Sequence, residues 1–431
     1  MSSSASLSSP AAVRFFDAVY NNQLKALKYI MKREKVDPNI GDIRQPSHPT
    51  ALIHACENLN INLARALLEA KPVGADVNKS DQNGRRAIWW AVHHGNVELA
   101  ELLIKEFKCE VDFTDKITGC TPLYRAVMTQ SLELSALLIL GGANVNQFSM
   151  DCSTEVETPL ILAVLKDDME MCQLLVKSLC NINHRTQEGF TALHFAVAYE
   201  RYSIVEFLVR SNARKYVASE SGMTPISIAV ELSKPSMIRC LARNGYNIDK
   251  PDKQGREPLH HAISLLNEEC SLALVHWGCK LEPSYVSLAA EAGLVNLMKL
   301  LIYINPSSLN SHWIILKEWP LALQNKLKMC DWLTELSSSP LSLKELSRAK
   351  LFNCISFFPD KCSQLRTRLP DKLFSFLLFK DLIDERMYTF RPPNDECPLK
   401  CHFLHASEDL QCPDIEISDI DGQLDYDTNS D

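Results

Sequence analysis

The sequence predicts an all-α solenoid of stacked helix pairs, followed by a small C-terminal helical module and an acidic tail. Three observations predict it. A turn–helix–helix word recurs along most of the chain, its fullest copy being Gly189-Phe190-Thr191-Ala192-Leu193-His194-Phe195-Ala196. Apolar residues after each word fall at three- and four-residue spacing, as Ile204, Val205, Leu208 and Val209 do, which marks an amphipathic helix. Charge is uneven: from Glu408 to Asp431 there are nine acids and neither Lys nor Arg.

The repeat is measured on the Ala that closes the first helix of each copy: Ala18, Ala55, Ala91, Ala126, Ala163, Ala196, Ala229 and Ala262, in steps of 37, 36, 35, 37, 33, 33 and 33 residues. Three equal steps are a period, and the longer early ones fit insertions at turns. Gly189 stands where a tight turn needs positive φ, and Thr191 where a helix needs a cap. Pro122, Pro159, Pro225 and Pro258 sit at first helical positions, where the missing N–H has no intrahelical partner. Segments such as Gly74-Ala75-Asp76-Val77-Asn78 and Gly142-Ala143-Asn144-Val145-Asn146 supply turn chemistry between copies. One such unit cannot bury both faces of its helix pair, so neighbours must stack. A ninth copy, around Ser287-Leu288-Ala289-Ala290, is degenerate.

Composition narrows the function. The 431 residues are 46% hydrophobic and 23% charged, ordinary for a chain with a sizeable core. Net charge is −8, yet outside the last two dozen residues 45 bases meet 44 acids, which argues against a general nucleic-acid binder. Met1 to Pro10 is Ser-rich without a basic or apolar region, so it reads as a disordered N-terminus and not a signal peptide. No run approaches the roughly 18 apolar residues of a membrane span. The fifteen Cys are scattered through apolar helices and read as reduced thiols of a cytoplasmic or nuclear protein. Nucleophile elbow, P-loop, dinucleotide-binding glycines and His-Glu-x-x-His are all missing, so no catalysis and no cofactor are expected. Cys397, Cys401, His402, His405 and Cys412 match no common zinc spacing, and no metal is expected there.

The words Thr121-Pro122-Leu123-Tyr124-Arg125-Ala126, Thr158-Pro159-Leu160, Thr224-Pro225-Ile226 and Pro258-Leu259-His260-His261-Ala262 fit Thr-Pro-Leu-His-x-Ala. The pattern resembles the ankyrin repeat over residues 11–302, eight copies plus the degenerate ninth. On that resemblance the His residues of the words (His54, His194, His260) are structural, hydrogen-bonding neighbouring turns. His261 packs. Trp89 and Trp90 fill gaps between helices. The resemblance also implies a partner-binding concave side, bearing by register Arg85, His93, His94, Cys120, Met128, Phe190, Tyr199, Met223 and Arg256. An exposed Phe190 is the expected anchor, since aromatics and Arg dominate hot spots.

Residues 303–340 lose the period but gather Trp313, Trp319 and Trp332 with Leu316, Leu321, Leu323, Leu327 and Leu333, which predicts a packed helical adaptor. Next, Ser342 and Glu345 form a capping box, and Leu343, Leu346, Ser347, Lys350 and Leu351 share a helix face. Farther on, Leu369-Pro370-Asp371-Lys372-Leu373 opens another helix. These elements resemble the SOCS box, over residues 341–380. The family pattern is small/polar-Leu-x-x-x-Cys-x-x-x-apolar; Ser342, Leu343 and Leu351 match it, and Ser347 replaces its Cys. An ankyrin array followed by such a box is similar to the ankyrin repeat and SOCS box family. The resemblance implies a non-catalytic substrate receptor of a RING ubiquitin ligase, with an unknown protein substrate on the concave face. Ser342, Leu343, Leu346, Ser347 and Leu351 would engage elongin C, with elongin B; Leu369, Pro370 and Leu373 would face cullin-5. A plain ankyrin scaffold, its C-terminal helices only capping the solenoid, is the alternative. Residues 381–431 form an acidic tail expected to be disordered. It is read as a solubilising run, ahead of a degron-like or regulatory element or a tail resting on a basic surface.

Overall fold

The computed structural model describes residues 10–338 apart from 71–73, 148, 151–155, 215–216 and 325. The expectations for residues 1–9, for the box at 341–380 and for the tail lie outside the described residues. Nine helix pairs succeed one another within them: α1 (Pro10–Tyr20) and α2 (Leu24–Arg33), α3 (Ala51–Glu57) and α4 (Ile61–Leu68), α5 (Ala87–His93) and α6 (Val97–Glu101), α7 (Pro122–Met128) and α8 (Leu132–Leu140), α9 (Pro159–Leu165) and α10 (Met169–Lys177), α11 (Ala192–Ala198) and α12 (Tyr202–Arg210), α13 (Pro225–Glu231) and α14 (Pro235–Arg243), α15 (Pro258–Ser264) and α16 (Glu268–His276), α17 (Ser284–Glu291) and α18 (Val295–Ile304). α6 runs on as a π-helical turn, Leu102–Glu106.

Local chemistry sets the length of the first helices. Thr50, Thr121, Thr158 and Thr224 cap them, each hydroxyl accepting a backbone N–H three residues on. Their far ends close by a left-handed residue, at Asn22, Leu59, Gly95, Gln130, Asp167, Glu200, Ser233, Leu266 and Gly293. Seven of these nine are not glycine, so a closing hydrogen bond must hold the strain of that conformation. In every repeat the carbonyl of one alanine accepts this bond. Ala18 takes it from Gln23, Ala55 from Asn60, Ala91 from Asn96, Ala126 from Ser131, Ala163 from Asp168, Ala196 from Arg201, Ala229 from Lys234, Ala262 from Asn267 and Ala289 from Leu294, at 2.8–3.0 Å. These are Schellman closures. The eight alanines that set the sequence period are among them, and all nine are buried. A methyl is the largest group that lets neighbouring first helices pack this closely. Asn60, Asn96, Asp168 and Asn267 then cap the second helices.

Most second helices bury one face only, whereas α16 and α18 are buried nearly all round. In α12 the four buried residues are Ile204, Val205, Leu208 and Val209, the ones spaced for it. The long step between Ala126 and Ala163 holds a small antiparallel ladder, Ser149–Met150 against Val156–Glu157, which with an isolated bridge between Gly41 and Thr50 departs from the all-helical array. Beyond α18 a 3-10 turn (Pro306–Asn310) leads to α19 (His312–Ile315), α20 (Leu321–Gln324) and α21 (Leu327–Ser338), which close the stack. Trp313 Nε1 donates to Ser287 Oγ at 3.0 Å, Trp332 lies 5.9 Å from the Tyr303 ring, and Lys326 Nζ donates to the Gly293 carbonyl at 2.7 Å. Leu323 and Leu333 are buried as expected; Leu316 and Leu321 are exposed, a correction, because the two four-residue helices bury one side chain each, Ile314 in α19 and Leu323 in α20.

Turns between repeats hydrogen-bond to one another. At Gly189 (φ +83°) an added Cβ would lie 2.9 Å from the Glu220 backbone nitrogen, whereas at Gly255 (φ +77°) nothing lies within 4 Å. Both positions bear the left-handed penalty of about 1 kcal/mol, but only Gly189 adds a backbone clash. Urea unfolding should therefore show Gly189→Ala costing about 2–4 kcal/mol and Gly255→Ala about 1 kcal/mol; equal losses would show that the turns do not approach as described.

Candidate functional site

Side chains from successive first helices meet along one face with a fixed register. The residue just before the aligned alanine meets a residue two positions past the alanine of the preceding repeat. His54 packs its ring edge-on to Tyr20 at 4.4 Å, Arg125 Nη2 lies 2.6 Å from His93 Nδ1, and His261 Nε2 lies 2.5 Å from Glu231 Oε2. Tyr20 also donates to Asp42 Oδ2 at 2.6 Å, and Arg44 binds the same carboxylate. His261 is thus buried and hydrogen-bonded rather than merely packed.

The densest part of this face is in the third and fourth repeats. The Arg85 guanidinium lies 4.1 Å over the Trp89 ring while its Nε donates to Asp115 Oδ1 at 3.2 Å. His93 stacks on Trp89 at 4.8 Å with planes 12° apart, and Arg125 lies 5.5 Å from the same ring. Trp90 meets Trp89 edge-on at 5.0 Å and stacks near His94 at 6.0 Å. One indole therefore carries two guanidinium groups and an imidazole, an arrangement favoured by cation–π attraction. Trp89 and Trp90 are buried and fill the space between helices, as expected. Among the residues expected on the face, Arg85, His93 and His94 come together here, with His94 exposed.

The others are spread along the array. Met128, Tyr199 and Met223 are half-buried; Arg256 is exposed and bound to Asp252 Oδ2 at 2.8 Å. Phe190 is a correction: it is only 6% exposed and offers no protruding anchor. Its turn folds back through Thr186 N–H to the Phe190 carbonyl, which swings the ring against His194 (5.6 Å) and Phe195 (6.1 Å). Cys120 is buried as well, 0% exposed. Sequence reasoning misses Arg125 and Asp115. The available signal for Arg125 is a charge at a position that Trp90, Leu162, Phe195 and Ile228 fill with apolar groups in other copies.

His194 is structural. Its Nδ1 accepts from the Thr191 N–H at 3.0 Å, and its Nε2 donates to the Met223 carbonyl at 3.3 Å, tying one repeat to the next. A second inter-repeat ladder runs through the turns. Side-chain oxygens of Asn39, Asn78, Asn146, Asn183 and Asp249 accept from the backbone N–H of Asp76, Glu110, Asn181, Arg214 and Lys280, at 2.6–2.8 Å. Burial pushes the Cys172 and Cys270 thiols up to about 12 and Cys180 to about 11, so these are unreactive core groups. Among the described residues no helix is long and apolar enough to cross a membrane.

A curved stack of helix pairs with a side-chain-rich face and, among the described residues, no assembled catalytic group defines a class: a repeat-built, protein-binding solenoid. The chain belongs to the ankyrin-repeat family. The family model "Ankyrin repeats (3 copies)" matches residues 15–115, 73–149, 147–219 and 211–285. Such arrays are generally non-catalytic modules for protein–protein interaction. The chain is 38% identical over 98 residues to the B-cell lymphoma 3 protein homolog of Mus musculus, covering 22% of each. It is 35% identical over 94 residues to ankyrin repeat protein OPG025 of monkeypox virus, covering 21% of this chain and 14% of that one. It thus spans less than a quarter of these relatives. Among solved structures, the ankyrin repeat domain of Bcl-3 matches at 24% identity and TM-score 0.44, covering 50% of this chain and 92% of that one. The human ASB11 ankyrin repeat domain matches at 24% identity and TM-score 0.41, covering 53% and 97%.

Burial holds the His194 pKa down at about 4, below the ordinary 6.5 of an unfolded chain. Between those values the unfolded state binds more protons, so stability falls as pH drops from 6.5 towards 4 and levels off below. The loss should be on the order of 3 kcal/mol for this one group. Urea midpoints measured across that range should show it, and His194→Gln should flatten the slope while lowering stability throughout.

Proposed function

We propose that the chain is a substrate-recognition subunit of an elongin B/C–cullin-5-type RING ubiquitin ligase. The array holds a protein while the segment 341–380 recruits the ligase core. The observation that carries this reading is in the sequence. Immediately after the helices that close the stack, Leu343, Leu346, Ser347 and Leu351 fall on one face behind a capping box, and Leu369-Pro370 comes at the interval of a SOCS box. The closing helices support it, because α19 to α21 already cover the last repeat through Trp313, Leu323 and Leu333, and the box is not needed as a cap.

The mechanism is proximity. The chain raises the effective concentration of a bound protein beside a charged ubiquitin-carrying enzyme and supplies no reacting group. Leu343 is the anchor buried in elongin C, Leu346 and Leu351 flank it, and Ser342 and Ser347 border the contact. Leu369, Pro370 and Leu373 face cullin-5. A serine hydroxyl at 347, where the resembling family has Cys, weakens the contact by about 1 kcal/mol if it stays unpaired.

The second reading, a scaffold outside any ligase, predicts no elongin binding. Co-expression with elongins B and C decides between them. The full chain should co-purify with both elongins, and Leu343→Asp should weaken binding about 100-fold or more by placing a charge in an apolar groove. A full chain that folds and retains neither elongin would leave the scaffold reading.

A further inference from the structure

Among the described residues, Arg125 of the fourth repeat is a charge without a counter-ion. Arg125 is 7% exposed, and no carboxylate lies within ion-pairing distance of it among the described residues. Its Nη2 meets His93 Nδ1 at 2.6 Å, and its Nε has no partner. The neighbouring acid, Asp115, is taken by Arg85 and by the Thr118 hydroxyl. Asp81 accepts from the Arg85 backbone. Two further buried donors of the same aromatic cluster have no acceptor, the indole N–H groups of Trp89 and Trp90. Every one of these unsatisfied groups is a donor. A buried guanidinium is tolerated when it is paired, and the Trp89 face offsets only part of the cost. What the cluster lacks among the described residues is an anionic acceptor, and a planar guanidinium fork is matched by a carboxylate.

The chain itself supplies such a group. Residues 408–431 hold nine acids and no base, and this is where the entire net negative charge of the protein resides. With residues 341–380 folded as the proposed box, the 27 residues 381–407 still give a reach of up to about 90 Å. The distance to cover is about 50 Å, five repeats at roughly 10 Å each. We infer that the Arg125–Trp89–His93 cluster is a carboxylate-binding site, and that in the isolated protein it is occupied by an acidic side chain of the 408–431 segment. Arg125 is the charge partner and Trp89 its platform, while Arg85 and the exposed His94 flank them. The segment thereby lies on the face where a protein partner is held and competes with it. This inference stands independently of the elongin contact, which involves residues 341–380.

The test uses the full chain and one probe, a fluorescent synthetic peptide of residues 408–431 tracked by anisotropy. The receiving proteins are the full chain and a full-length form whose nine acids from Glu408 to Asp431 are changed to their amides. The neutralised form should bind the peptide, more weakly as salt rises, and Arg125→Gln in that background should weaken binding tenfold or more. The unaltered full chain should bind the added peptide at least tenfold less well than the neutralised form. Thermal melts accompany each protein, and Arg125→Lys, which keeps the charge without the fork, serves if Arg125→Gln does not fold; it should still weaken binding severalfold. Equal binding by parent and Arg125 variants, or no binding at all, overturns the site. Equal binding by the full and neutralised chains overturns its occupation by the segment.

Discussion

The structure depends on one hydrogen bond made nine times: the carbonyl of the alanine near the end of each first helix accepting the N–H five residues on. That bond stops the helix, reverses the chain and sets the second helix against the first. It can form only if the residue between adopts a left-handed conformation, and in seven repeats that residue is not glycine. The conformational cost is sustained because the alanine is also the point where adjacent repeats touch. A larger side chain would push the helices apart, and a solitary repeat would leave its apolar faces in water. Closure within a repeat and stacking between repeats are thus one constraint seen from two sides.

That constraint divides fixed positions from free ones. His194 and the asparagine ladder bind turn to turn and fix the spacing between repeats, while the Thr caps fix where first helices begin. The positions next to the aligned alanine face the neighbouring first helix and can vary in chemistry without disturbing the closure. The third and fourth repeats use that freedom to stack Arg85, His93 and Arg125 around Trp89, whereas the central repeats place Leu162, Phe195 and Ile228 at the register of Arg125. A binding face on such a scaffold is rigid before anything reaches it, which lowers the entropy lost on association.

Much of the array is legible in the sequence because its constraint leaves a trace at fixed intervals. The alanine period, the Thr-Pro words and the three- and four-residue spacing of α12 each record a contact that recurs. Phe190 escapes such reasoning because register places a residue near a face but does not say whether the turn folds its ring outward or under. Leu316 and Leu321 escape it for a related reason: outside the repeats no period remains to tell which side is inward. Arg125 is visible as a charge where Trp90, Leu162, Phe195 and Ile228 keep the row apolar. Its want of a counter-ion among the described residues shows only once neighbours are brought together across repeats. The left-handed turns leave no compositional mark, since Leu, Gln, Glu and Ser stand where glycine would have announced them.

The central claim is a separation of labour: repeats that hold a protein, and a distinct C-terminal segment that docks elsewhere. Hydrogen–deuterium exchange of the full chain, with and without the elongin B/C pair, tests it most directly. The predicted result is new protection across 342–351 and unchanged exchange throughout the nine repeats. Protection appearing in the repeats, with none at 342–351, would contradict it.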